Sequence, residues 1–126
     1  MISNTKNHIT KMENAHSARQ LDLRLRRILG DLQTQFRGLY RDRLMEMVVY
    51  GSWARGDAEP HSDIDVLVVL KGPVDCGAEV ARTGRIVADI SLKYCEVVSC
   101  VFMDEHRFTH RNGPLLRNIR REGVVV

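Results

Sequence analysis

The sequence predicts an α+β domain in which a small mixed β-sheet is packed with helices. Residues 18–40 and 75–94 carry apolar side chains at the 3.6-residue period of a helix. Residues 44–50, 62–70 and 96–103 are shorter, rich in valine, and bounded by glycine, proline or polar residues, which is typical of strands. We expect the helices to cover mainly one face of this sheet.

The remaining elements follow from local signals. Ser17 and Gln20 offer a capping box for the first helix, and Pro114 and Gly123 mark the first turn and the end of a last helix. Residues 52–57 predict a short helix or turn, and residues 103–111 another short helix. The apolar end, residues 124–126, is expected to pack on the sheet edge or on a partner.

Composition bounds the class of protein. A chain of 126 residues predicts one domain, residues 17–126, after a polar tail, residues 1–16, that we expect to be disordered. A net charge of +3 permits binding of an acidic nucleotide but does not favour a duplex nucleic-acid partner. Three cysteines without zinc-ligand spacing predict reduced thiols, and no apolar run approaches the ~20 residues that span a bilayer, so we expect a soluble cytoplasmic protein.

A phosphate-binding turn is predicted where the first strand ends at Gly51 and Ser52. A helix start exposes backbone N–H groups that favour an anion, glycine permits close approach, and the serine hydroxyl adds a donor. Arg55, three residues on, either reaches the nucleotide phosphates or pairs with a local acid such as Asp57. Trp53 is expected to be a packing residue rather than a platform for a base.

Asp63 and Asp65 form the second half of the candidate site. Residues two apart in a strand project to the same face, so both carboxylates lie together while Ile64 and Val66 face the core. Their mutual repulsion and partial desolvation would be relieved by a divalent cation. This pattern predicts a Mg²⁺ site next to the phosphate-binding turn, as nucleotidyl transfer requires.

Gly51-Ser52, ten intervening residues and then Asp63-Ile64-Asp65 resemble the signature of the DNA polymerase beta-like nucleotidyltransferase superfamily. The stretch from Gly51 to Gly56, followed by Ser62 to Asp65, is most similar to the minimal nucleotidyltransferases of prokaryotes. The resemblance covers roughly residues 20–122. It implies the polymerase-beta-like fold, with ATP as substrate and Mg²⁺ as cofactor.

The resemblance also implies a third carboxylate from a neighbouring strand, acting as general base and second-metal ligand. Glu96 is the best candidate by position because it heads an apolar strand, and Asp89 is the competing choice. The family residue is more often aspartate, so the longer glutamate side chain leaves the geometry of the second metal site open.

Members of this minimal group are commonly paired with a helical HEPN-class toxin. The resemblance therefore implies an antitoxin that transfers AMP to a tyrosine of that toxin, in a hetero-oligomer. Two alternatives stay open: nucleotidyl transfer to a small hydroxylated molecule such as an aminoglycoside, and a non-catalytic module that neutralises its partner by binding.

Overall fold

The computed structural model of the protein describes residues 21–126, which form a four-stranded sheet between helices. The predicted tail, residues 1–16, and the capping box at Ser17 and Gln20 lie outside the described residues. The α+β class is confirmed. In chain order the elements are α1 (Leu23–Tyr40), a 3-10 turn (Arg41–Arg43), β1 (Leu44–Tyr50), α2 (Ser52–Arg55), β2 (Ile64–Leu70), α3 (Cys76–Tyr94), β3 (Val98–Asp104), α4 (Glu105–His110), α5 (Pro114–Glu122) and β4 (Val124–Val125).

The sheet is mixed, with strand order β3-β2-β1-β4. β1 and β2 are antiparallel neighbours, whereas β2 and β3 are parallel because α3 crosses over between them. The apolar end of the chain closes the opposite edge as β4, where Val125 lies opposite Val48 of β1. Of the two outcomes predicted for residues 124–126, packing on the sheet edge is therefore confirmed.

Helices cover both faces of the sheet, which corrects the expectation of one main helical face. α1 and α3 pack on the face that carries Val49, Val66 and Phe102, whereas α4 and α5 bury Phe108, Leu116 and Ile119 against the other face. The physical reason lies in β2, where the run from Val66 to Leu70 is fully buried. A strand that is apolar on both faces needs cover on both.

The first helix starts later than the sequence pattern predicts. Its N-cap is Asp22, whose carboxylate accepts hydrogen bonds from the N–H groups of Arg24 at 2.7 Å and Leu25 at 3.2 Å. Within residues 21–126, no helix is both long and apolar enough to cross a bilayer.

A buried polar contact joins the two long helices. The hydroxyl of Tyr40 at the end of α1 donates to Oε1 of Glu79 in α3 at 2.7 Å, and both residues are nearly inaccessible to solvent. Burial, followed by this bond to Glu79, raises the pKa of Tyr40 well above its usual range. The phenol thus stays protonated and serves as the donor for a buried carboxylate.

Candidate active site

Gly51 ends β1 and caps α2 in a backbone conformation that suits glycine. Its φ of +75° and ψ of −157° fall in a region that side chains other than hydrogen rarely tolerate. A Cβ atom at this position would lie 2.6 Å from Oδ2 of Asp65, well inside van der Waals contact. The turn predicted from sequence thus places the backbone of Gly51 directly against the candidate metal-binding carboxylate.

Asp65 lies near the start of β2, opposite Tyr50 in β1, and Asp63 precedes the strand by one residue. Asp63 is exposed and Asp65 is half-buried. Desolvation, followed by the nearby charge of Asp63, raises the pKa of Asp65, and Arg55 partly opposes this rise. The two carboxylates therefore act on each other as predicted, at an edge of the sheet that solvent reaches.

The single turn of α2 begins at Ser52, beside this carboxylate pair. It ends at Gly56, whose φ of +83° and N–H bond to the carbonyl of Ser52 close the turn. The N–H of Arg55 binds the carbonyl of Gly51 at 3.1 Å, so the candidate donors for an anion are the N–H groups of Ser52 and Trp53 at the start of the turn. Trp53 holds the turn in place, because its indole N–H donates to the carbonyl of Ser62 at 3.0 Å and its ring packs on the core. The predicted packing role of Trp53 is confirmed.

Arg55 forms the local ion pairs that were one of its two predicted alternatives. Its guanidinium donates to Oδ2 of Asp57 at 3.2 Å and to Oε1 of Glu122, in α5, at 3.0 Å. The bond to Glu122 ties the short helix α2 to the last helix. A contact of Arg55 with nucleotide phosphates stays a prediction, and these two bonds, through Nε and Nη1, leave Nη2 for such a contact.

Glu96 does not head a strand, which corrects the predicted strand start. β3 begins at Val98, because Cys95 ends α3 in the left-handed region with φ of +55°, and the N–H of Glu96 bonds the carbonyl of Ser91 at 3.2 Å. Glu96 instead lines a groove of about 580 Å³ together with Trp53 and His61.

Neither candidate third carboxylate is gathered with Asp63 and Asp65 into a group that could hold a metal ion. Among residues 21–126, no three His, Cys, Asp or Glu side chains form a group that could hold a metal ion. Asp89 lies on α3, where it lines a separate cleft with Asp31 and Lys93 between the two long helices. A catalytic role for Glu96 stays a prediction.

Ser99 is the residue that sequence reasoning missed. In the parallel pairing of β2 and β3 it lies beside Asp65, and neighbours in register project to the same face. The sequence could have indicated this pairing. If β3 is taken to begin at Val98 instead of Glu96, Ser99 is its second residue, as Asp65 is the second residue of β2. The position next to Asp65 on the neighbouring strand thus carries a hydroxyl group and no carboxylate.

The carboxylate pair fits one Mg²⁺ ion. Mg²⁺ prefers oxygen ligands and is commonly held by one or two carboxylates together with substrate phosphates and water. Asp63 and Asp65 supply two such ligands whose repulsion a cation would relieve, and the Gly51–Ser52 turn lies beside them for the phosphates. A mixed sheet with this turn and this pair is the arrangement that the sequence predicts for a nucleotidyltransferase site.

Comparison with known proteins agrees with this class. The family model for the nucleotidyltransferase domain matches residues 25–123, and the chain belongs to that family. The predicted resemblance to minimal nucleotidyltransferases, and with it the enzyme class, is confirmed.

Two relatives come from Methanocaldococcus jannaschii. The "Putative protein adenylyltransferase MJ0604" is 34% identical over 88 residues, which is 69% of this chain and 82% of the relative. The "Putative protein adenylyltransferase MJ0141" is 31% identical over 72 residues, or 57% of this chain and 72% of the relative.

Two solved structures share the fold. A crystal structure of "the toxin-antitoxin with AMP-PNP" has a TM-score of 0.54 at 17% identity. The matched region is 75% of this chain and 69% of the chain in that structure. A "putative nucleotidyltransferase from Sulfolobus solfataricus" has a TM-score of 0.50 at 19% identity. The matched region is 97% of this chain and 85% of the chain in that structure. At these identities the likeness concerns the fold alone.

Proposed function

We propose that this protein is a Mg²⁺-dependent adenylyltransferase that transfers AMP from ATP to a tyrosine hydroxyl of a HEPN-class toxin and thereby acts as its antitoxin. The observation that carries the chemistry is the Asp63–Asp65 pair, with Asp65 packed against the backbone of Gly51. The polypeptide acceptor is supported by the names of the two relatives, and the toxin partner by the family resemblance and by the toxin–antitoxin structure that shares the fold.

The residues of the chain have separate parts in this reaction. Gly51 and the start of α2, Ser52 and Trp53, would hold the triphosphate by backbone N–H groups, and the hydroxyl of Ser52 would add a donor. Asp63 and Asp65 would hold the metal. When bound, Mg²⁺ would neutralise phosphate charge that accumulates in the transition state.

The bonds made and broken are those of a single substitution at phosphorus. The acceptor oxygen attacks the α-phosphorus of ATP, the bond from that phosphorus to the bridging oxygen breaks, and pyrophosphate leaves. The acceptor proton passes to water in this scheme, and Glu96, which lines the groove with Trp53, is the alternative proton acceptor predicted from the sequence. Positioning and charge neutralisation then supply most of the rate.

A labelling experiment tests this proposal. The full chain is incubated with ATP labelled at the α-phosphate, Mg²⁺ and the product of the neighbouring gene, with kanamycin in a parallel reaction. We expect label on a tyrosine of the partner protein, located by tandem mass spectrometry. Label on kanamycin instead would support a small-molecule transferase, and a tight complex without label would support the non-catalytic alternative.

Asp89→Asn is the matched control for Asp63→Asn in this assay. Both substitutions remove one exposed carboxylate, but Asp89 lies on α3 and outside the pair. We expect Asp63→Asn to abolish labelling and Asp89→Asn to leave it unchanged.

A further inference from the structure

The outer edge of β3 is open over a short central length. Among the described residues β3 has a strand neighbour on one side only, and its seven residues pair with β2 without a register shift. The strand contains none of the lysines, prolines or bulges that commonly protect an edge strand. Such an edge can accept a further strand.

The hydrogen bonds identify which groups face outward. The N–H of Ile64 bonds the carbonyl of Val97 at 2.8 Å, so in a parallel ladder the odd-numbered residues of β3 bind β2 and the even-numbered residues turn away from it. Cys100 therefore presents both its N–H and its carbonyl to the open side.

Side chains of α3 close the two ends of this edge. The hydroxyl of Ser91 accepts from the N–H of Val98 at 3.2 Å, and the thiol of Cys76 donates to the carbonyl of Phe102 at 3.4 Å. Between these two bonds remain the carbonyl of Val98, both groups of Cys100 and the N–H of Phe102. This length suits about three residues of an added strand.

An apolar groove runs beside the open edge. It measures about 340 Å³ and is lined by Val80, Thr83 and Val87 of α3 and by Cys100 and Phe102 of β3. Val80 is 55% exposed, so the groove presents an apolar side chain to solvent. The groove lies on the α1–α3 face of the sheet and reaches Ser99 in its lining, whereas strand alternation directs Asp65 to the other face.

We propose that this edge binds an extended segment of the acceptor polypeptide as an added strand, an inference that rests on the proposed function. Alternate residues of a strand face opposite sides, so a segment paired to β3 sends apolar side chains into the groove and the residue between them to the side of Asp65. That residue would lie two strand spacings from Asp65, roughly 10 Å between backbones. The acceptor hydroxyl is thus presented between two apolar residues.

The short length of the open edge favours a peptide over a second copy of the chain. A stable protein–protein interface buries about 1,200–2,000 Å², and a three-residue ladder with one small groove supplies far less. It suits a transient encounter in which a substrate segment binds, reacts and leaves.

The binding test needs neither ATP nor Mg²⁺, so it is independent of catalysis. The ¹⁵N-labelled full chain is titrated with the acetylated and amidated peptide Lys-Val-Tyr-Val-Lys, with Lys-Ser-Tyr-Ser-Lys as the control peptide. We expect chemical-shift changes at the amides of Val80, Cys100 and Phe102 with the first peptide only. An absence of shifts at these amides, or equal binding of both peptides, would overturn the proposal.

Two variants and a matched control locate the site. Val80→Glu places a charge in the groove, and Cys100→Pro removes the outward N–H without removing a bond to β2. Both should weaken peptide binding at least tenfold, whereas Leu92→Glu, at a 78% exposed position of the same helix outside the groove, should not. Val80→Glu lies in α3 and does not alter β3, so it still tests the site if Cys100→Pro fails to fold. Unchanged peptide binding by Val80→Glu would refute the assignment.

The remaining outcomes separate this inference from the proposed function. Peptide binding at the edge without AMP transfer by the wild-type chain would sustain the docking site and refute the proposed reaction. Transfer of AMP to the tyrosine peptide with a KM that Val80→Glu does not change would support the proposed reaction and refute the docking site. A dimer in sedimentation that Cys100→Pro dissociates, or a Cys100 amide already protected from exchange in the free chain, would assign the edge to another occupant and overturn the proposal.

Discussion

Replacing Asp63 by asparagine separates stability from metal binding at the candidate site. In the ligand-free protein the charge of Asp63 contributes to the raised pKa of Asp65. A carboxyl group whose pKa is raised on folding makes the folded protein less stable as the pH rises. This loss begins at the pKa of the unfolded state, near 3.9, and is complete above the pKa of the folded state. Asp63→Asn relieves part of that loss, so we expect a gain of up to about 0.5 kcal/mol at pH 7, kept small by solvent screening.

With Mg²⁺ and AMP-PNP the order of stability reverses. A ligand at about 100 times its Kd stabilises the folded state by about 2.7 kcal/mol, or roughly 10 °C in Tm for a domain of this size. Loss of one metal ligand that weakens binding about 100-fold reduces this to about 0.4 kcal/mol. We therefore expect a large thermal shift for the wild type and a shift of only 1–2 °C, by the same estimate, for Asp63→Asn.

Differential scanning calorimetry with and without the two ligands measures both effects. Asp89→Asn serves as the control, because it removes an exposed acid on α3 and should keep the full ligand shift. A ligand-induced shift in Asp63→Asn equal to that of the wild type would show that the metal is bound elsewhere.

Three further substitutions test other parts of the structure. Gly51→Ala should lower the free energy of unfolding in urea by about 2 kcal/mol, because the added methyl group displaces the carboxylate of Asp65. Nucleotide binding should also be lost. A variant with wild-type stability would contradict the described turn. Glu96→Gln tests the predicted third carboxylate. Transfer of the acceptor proton to water predicts an AMP-transfer rate within about threefold of the wild type, and a hundredfold loss in steady-state assays would assign that proton to Glu96. Tyr40→Phe should lower the free energy of unfolding by about 1–3 kcal/mol because it removes a donor from the buried Glu79, while the transfer rate of the folded protein stays unchanged; chemical denaturation and a rate assay check both parts.

The local part of the site could be predicted from the sequence because its determinants are close in the chain. Gly51, Ser52, Asp63 and Asp65 lie within fifteen positions, and the strand alternation that aligns the two carboxylates is a local property. The structure adds the reason why position 51 is a glycine: the carboxylate of Asp65 occupies the space that a Cβ atom would need. The sequence alone does not show this contact.

The misplaced features depend on contacts or conformations that a single sequence does not display. The partner of Arg55 in α5, Glu122, is 67 positions away. The start of β3 depends on the left-handed conformation of Cys95, which carries no glycine or asparagine signal. The shift of two residues takes Glu96 out of the strand. Ser99, which faces opposite to Val98 and Cys100, is then the β3 residue beside Asp65. The helices on the second face could have been expected from the unbroken apolar run in β2.

A crystal of the full chain grown with Mn²⁺ and AMP-PNP, examined by anomalous scattering, tests the metal site most directly. We predict a manganese peak in contact with carboxylate oxygens of both Asp63 and Asp65, about 2.1 Å away, with the triphosphate on the backbone of Gly51 and Ser52. Nucleotide bound at another surface, with both carboxylates in contact with water alone, would contradict the assignment.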